Sequence, residues 1–173
     1  MASKTDMQRV FLALWPDTES RAALARVAAR LDGPGRAVPT AHLHLTLAFA
    51  GPIPATRAKC LSAGITQLAT DTIELTLDQL GHFSGPRITW IGPSAPPQAL
   101  ATLAERAQAL CDDCSIDTGP AQPFRPHVSL RRHADPPSQD RIDPPVCWRA
   151  ATVVLVESGS NGHPGRYRIL ART

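Results

Sequence analysis

A four-residue phrase occurs twice in this chain, first as His44-Leu45-Thr46-Leu47 and again, far downstream, as His127-Val128-Ser129-Leu130. Each copy runs histidine, aliphatic, small hydroxyl, leucine inside an apolar stretch with the alternation of a β-strand, whose successive side chains point to opposite faces. Around the first copy this predicts Leu43, Leu45, Leu47 and Phe49 facing a core, with His44 and Thr46 on the other side. Around the second, Val128 and Leu130 turn inward, and His127, Ser129 and Arg131 share the opposite face. One such histidine-hydroxyl step is ordinarily a packed side chain. Two in a chain of 173 residues predict that the fold exists to bring them together.

The rest of the chain supplies the frame. Residues 8–15 alternate as an opening strand closed by Pro16, and Asp17 or Thr18 can cap a helix whose Leu24, Val27, Ala28 and Leu31 form an apolar stripe. After Gly33-Pro34-Gly35 the first histidine strand spans 43–49, and Gly51-Pro52 is expected to turn the chain out of it. A second helix runs from about Pro54 to Ala69, with Gly64 marking a close backbone approach. Ile73 to Asp78 and Ile88 to Ile91 read as a hairpin around Ser84-Gly85-Pro86. A third helix fills 97–113, the second histidine strand covers 127–132, and the prolines of Asp135–Pro145 predict an exposed irregular loop. Val146 to Val156 reads as one buried strand, Ser158–Pro164 as a glycine-rich turn and Tyr167–Leu170 as a last strand. About eight strands and three helices result, with a strand-helix-strand order and a histidine strand in each half. This predicts an α+β class: a single domain over 1–173, bilobal and internally duplicated, with two antiparallel sheets flanking a central cleft and helices outside.

Composition narrows the function. Apolar residues at 43% and charged residues at 19% fit a folded globular chain rather than a disordered one. The net charge of +3 comes almost wholly from arginine, lysine occurring only at Lys4 and Lys59, and the arginine fork suits phosphate oxygens. Met1–Asp6 is polar, Val10–Leu14 is too short for a secretory leader, and no apolar run reaches the ~18–20 residues of a membrane span, so a cytoplasmic protein with no membrane association is expected. Four cysteines, at 60, 111, 114 and 147, are too few for a disulfide framework, and Cys111 and Cys114 follow the helical stripe of Leu100, Leu103, Ala104, Ala107 and Leu110, which predicts unbonded core residues.

Two histidines facing each other can divide general catalysis, one accepting a proton as the other donates one, and an unperturbed pKa of about 6.5 lets both roles run near neutrality. Thr46 and Ser129 can donate hydrogen bonds to anionic oxygens, and Arg125, Arg131 and Arg132 crowd the second motif. Such a pocket suits a phosphodiester and needs no metal or other cofactor.

Leu43-His44-Leu45-Thr46-Leu47 and Arg125-Pro126-His127-Val128-Ser129-Leu130, with Leu80-Gly81-His82-Phe83 and Pro86-Arg87 between them, resemble the 2H phosphoesterase superfamily. The resemblance extends to Trp15-Pro16, Val156-Glu157-Ser158 and Gly165-Arg166-Tyr167, and points to the branch of RNA 2′,3′-cyclic phosphodiesterases, the 2′-5′ RNA ligase family. It implies a bilobal fold and metal-independent hydrolysis of a cyclic phosphate at an RNA end to a 2′-phosphomonoester. By motif position His44 would protonate the departing 3′ oxygen, His127 would activate water, and Thr46 and Ser129 would hold the non-bridging oxygens. Serine at 129 replaces the commoner threonine, and Ala48 stands where the branch often has arginine, which shifts the expected phosphate contact to Arg131 or Arg132. The expected partner is RNA or a nucleotide with a 2′,3′-cyclic phosphate end, bound by a monomer.

Three other readings compete. His42 and His44 could join His127 or His133 around a metal, although neither histidine strand offers a carboxylate or cysteine at a ligand offset. Trp90, Trp148 and Tyr167 could stack bases in a module that binds RNA ends without cutting them. The same cleft could instead take another cyclic phosphate or run ligation.

Overall fold

The computed structural model describes residues 7–159 and 165–173. Its strands are β1 (Met7–Leu14), β2 (Arg36–Ala37), β3 (Leu45–Pro54), β4 (Ile73–Phe83), β5 (Ile88–Gly92), β6 (Val128–Arg132), β7 (Arg141–Ala150), β8 (Val153–Ser158) and β9 (Tyr167–Arg172). Helices α1 (Thr18–Arg30), α2 (Ala55–Gly64) and α3 (Gln98–Asp113) connect them. The sequence predicts two antiparallel sheets; the strands instead form one continuous antiparallel sheet in the order β7-β4-β5-β6-β3-β1-β8-β9, with β2 hydrogen-bonded to β6. The seam is narrow. β3 and β6, the two motif strands, share a single registered pair, Leu45 opposite Val128, so that each heads a four-strand wing.

One face of this sheet is covered by the helices. Leu12, Leu45, Leu75, Ile91, Val128 and Leu155 from strands join Leu24, Leu61, Leu100, Leu103 and Leu110 from helices in one core cluster. Each fully buried leucine of this kind contributes roughly 1.5–3 kcal/mol relative to exposure. The opposite face carries a smaller cluster of Phe11, Ala13, Val154 and Val156, with Trp15, Tyr167 and Ile169 packed against it. This is the face on which Phe11 meets His44.

Local chemistry sets the helix ends. The Asp17 carboxylate accepts the Ser20 backbone N–H at 2.8 Å, which caps α1 and holds the carboxyl below its usual range. α2 tightens after Gly64 into a 3-10 turn over Ile65–Leu68. A Cβ at Gly64 would sit 2.5 Å from Leu110 Cδ1, so the close approach predicted there is the contact between α2 and α3.

Three element boundaries depart from the sequence pattern, each for a reason of position in the sheet. β3 does not stop at Gly51-Pro52 but runs on to Pro54, with Arg9 registered opposite Pro52. Beyond Leu45 its other side has no strand partner, so a proline there costs no ladder bond. The predicted proline loop is likewise the start of β7, an edge strand paired only with β4, where Pro144 and Pro145 are tolerated. The apolar run 146–156 splits between β7 and β8. Of the predicted turn at Ser158–Pro164, residues 160–164 lie outside the described residues.

The cysteine expectation needs a larger correction. Cys60 on α2 and Cys114 at the end of α3 form a disulfide, while Cys111 is the free buried residue the stripe predicts. Burial pushes the Cys111 thiol up to about 11. The bonded pair is 54 residues apart in sequence, and only the packing of α2 on α3 brings it together. No helix among the described residues is long and apolar enough to cross a membrane.

Candidate active site

Each motif strand enters the hydrogen-bonded ladder one residue after its histidine. Extending the Leu45–Val128 register by one step either way places His44 across from Ser129 and Thr46 across from His127, all on the face away from the helices. Each imidazole therefore confronts the hydroxyl of the other motif.

The rings are oriented by the same device. His44 Nδ1 lies 2.6 Å from the carbonyl oxygen of His42, and His127 Nδ1 lies 2.8 Å from that of Arg125. A carbonyl only accepts, so in both rings Nδ1 carries the proton and Nε2 is left for chemistry. His44 Nε2 is 3.1 Å from Thr46 Oγ1, whose hydroxyl donates to the neutral ring. Aromatic walls hold both histidines: Phe11 stacks on His44 at 4.6 Å between centroids, and Phe83 meets His127 edge-on at 4.9 Å. His42 itself stacks on Tyr167 at 4.2 Å.

Electrostatics follow from this enclosure. Burial lowers the His44 pKa to about 4; the bond to the His42 carbonyl opposes the fall, and positive charge on His127, Arg132 and His42 adds to it. The His127 pKa is also lowered, first by burial and further by the Arg125 charge, against the pull of the Arg125 carbonyl. In the free protein both rings are therefore largely uncharged at neutral pH.

A bulge after each hydroxyl decides which neighbours join the histidines. In β6, Ser129 pairs with Trp90 and Arg131 with Thr89, leaving Leu130 as an extra residue. In β3, Thr46 pairs with Ala13 and Ala48 with Leu12, leaving Leu47 extra in the same way. An inserted residue reverses the alternation that follows. Arg132 and Phe49 consequently turn to the cleft, while Arg131 turns to the helix side. The predicted phosphate role of Arg131 is thereby corrected. Its guanidinium donates to the carbonyls of Leu31 at 2.8 Å, Gly35 at 3.0 Å and Gly33 at 3.1 Å, closing the end of α1. Phe49, placed in the core by simple alternation, is 45% exposed. Arg125 sets its guanidinium over Phe83, 5.9 Å from the ring centroid, and acts on the site through its carbonyl and its charge.

The resulting cleft has a volume of about 660 Å³ and is lined by Arg9, Phe11, His44, Thr46, Phe49, Ser129, Arg132, Ser158 and Tyr167. His127 does not form its wall; the register holds it across from Thr46, near enough for its charge to act on His44. A separate cavity of about 560 Å³ between α1 and β7 contains none of the motif residues. Among the described residues, no three His, Cys, Asp or Glu side chains are grouped to hold a metal ion. A pair of imidazoles, two hydroxyls and one arginine suits a tetrahedral oxyanion.

The model of the 2′-5′ RNA ligase superfamily matches residues 15–161, which span both motifs. The chain belongs to this superfamily. It is 33% identical over 169 residues to the RNA 2′,3′-cyclic phosphodiesterase of Escherichia coli (strain K12), covering 95% of this chain and 93% of that one. Among solved structures, E. coli LigT in apo form matches with a TM-score of 0.83 at 29% identity over 97% of both chains. The same protein complexed with 3′-AMP gives 0.79 at 28% over 97% of both. TT0787 of Thermus thermophilus gives 0.73 at 27%, over 95% of this chain and 96% of that one.

Within this member of the 2′-5′ RNA ligase superfamily, alternation alone misses Phe49 and Arg9, and it leaves Tyr167 unassigned between cleft and sheet. Tyr167 lines the cleft, whereas its neighbour Arg168 is paired with Glu157 at 2.8 Å. Gly51, at φ 73 two residues after Phe49, is the sequence signal of an irregular strand. The division between the two arginines is directly measurable. Arg132→Met should weaken inorganic phosphate binding about tenfold by calorimetry while leaving the denaturation midpoint in place. Arg131→Met should do the reverse, removing about 2 kcal/mol of stability with phosphate affinity held within about threefold.

Proposed function

We propose that this chain hydrolyses 2′,3′-cyclic phosphodiester ends of RNA to 2′-phosphomonoesters by proton transfer between two histidines, without a metal. The observation that carries this reading is the matched orientation of the rings. His44 and His127 both engage Nδ1 with the carbonyl two residues earlier, and their motif strands pair so that each faces the other's hydroxyl. The activity in the name of the E. coli relative supports the substrate class.

In the proposed reaction His127 Nε2 takes a proton from water as the water oxygen bonds to phosphorus. The bond from phosphorus to O3′ breaks, and His44 Nε2 delivers its proton to that oxygen. Thr46, Ser129 and Arg132 hold the non-bridging oxygens, where charge builds in the transition state. The whole chain acts as one domain with a motif from each wing.

A His44 pKa of about 4 in the free protein leaves that ring without a proton to give at pH 7. The substrate supplies the remedy: a phosphodiester anion between the rings favours one proton on the pair. The active form is the singly protonated pair, whichever ring holds the proton in the free protein. The two pKa values then bracket the profile of kcat/KM. Activity should rise from an acid limb near pH 4, where the second ring loses its proton, and fall through an alkaline limb below about 6.5, where the pair becomes neutral. The limbs of kcat should lie higher, because bound phosphate raises both values. A kcat/KM still climbing at pH 8 would contradict the scheme.

Incubation with adenosine 2′,3′-cyclic phosphate in the presence of chelator, followed by phosphorus NMR, should show the 2′-monophosphate as product. His44→Ala and His127→Ala should each lower turnover by ~10² to 10⁴, and Thr46→Ala and Ser129→Ala by less than the histidine changes. Wild-type turnover in either histidine variant would overturn the proposal.

A further inference from the structure

Phe49 is a large apolar side chain left 45% exposed on the wall of the cleft, and neither hydrophobic cluster takes it in. The bulge at Leu47 turns it there, and Arg9 of the adjacent strand lays its guanidinium 4.7 Å from the ring centroid. Both residues line the same cavity as His44 and Thr46. The guanidinium covers one side of the ring and fixes its plane, while the cleft side stays open. Arg132 holds the matching place on β6, five residues after His127 as Phe49 is five after His44. The two wings thus present a cation on one side of the site and a flat apolar ring on the other.

We infer that Phe49, backed by Arg9, is the platform on which the nucleobase of the cyclic-phosphate nucleoside stacks. The inference rests on the reaction proposed above and deepens it. Every base has a π-face, so such a platform holds any RNA end and grips purines better than pyrimidines through their larger area. It also gives the near-symmetric site a direction. The base and both ester oxygens belong to one nucleoside, so a base seated on the β1–β3 wing brings O3′ towards His44. In-line attack then requires water to enter from the opposite side, the side of His127. Phe49 acts as a specificity and positioning residue, and through it the fold makes His44 the acid.

The test compares adenosine 2′,3′-cyclic phosphate with the base-free methyl ribofuranoside 2,3-cyclic phosphate. Phe49→Ala should reduce the kcat/KM preference for the nucleotide about tenfold, chiefly through KM, and Phe49→Trp should restore it. Arg9→Met should give a smaller loss in the same direction. An unchanged preference in Phe49→Ala, or loss of activity on both substrates alike, would overturn the platform. Should the wild type turn over neither compound, the proposed reaction falls, and binding decides the platform by itself. Calorimetry with adenosine 3′-monophosphate and methyl ribofuranoside 3-phosphate should then show about a tenfold loss in Phe49→Ala confined to the nucleotide, and an equal affinity in variant and wild type would reject the platform.

Discussion

The geometry of the site depends on one strand pair. Leu45 opposite Val128 is the register that joins β3 to β6, and it joins the two wings of the sheet. Both residues are fully buried on the helix side, so a slip by one position would carry two core side chains to the cleft and two imidazoles into the core. Hydrophobic burial of Leu45 and Val128 therefore fixes the placement of His44 and His127. The catalytic proposal inherits its precision from that apolar contact rather than from any bond between the histidines.

Around this pair the protein uses its polar groups for orientation. The carbonyls of His42 and Arg125 determine which nitrogen of each ring is free, and the aromatic residues limit where the rings can swing. The same enclosure makes a charged ring unfavourable, which is why His44 falls to about 4. A site that is neutral when free and gains a proton with its anionic substrate couples binding to protonation. Arg132 and the two hydroxyls are left to hold the phosphate, and Arg131 supports the end of α1 against which that segment rests.

Much of this was legible in the residues themselves. The two motif phrases, the hairpin of β4 and β5, the apolar stripes of the three helices and the Asp17 cap all follow from period and local chemistry. What escaped has a common origin in parity and long-range packing. A single inserted leucine in each motif strand exchanges the faces of everything after it, which moved Arg131 out of the cleft and brought Arg132 and Phe49 into it. The prolines of β3 and β7 read as turns because a sequence does not declare which strand sides lack partners. The Cys60–Cys114 bond joins helices whose contact appears only once the sheet is assembled, and the single continuous sheet hangs on one residue pair.

The division of labour between the histidines is tested most directly by changing the leaving group. A cyclic substrate with sulfur in place of the bridging 3′ oxygen departs as a thiolate and needs little help from an acid. His44→Ala should recover most of its lost turnover on that substrate, while His127→Ala, which lacks the group that activates water, should remain as impaired as on the oxygen ester. Equal impairment of His44→Ala on both substrates, or recovery by His127→Ala instead, would contradict the assignment of acid and base.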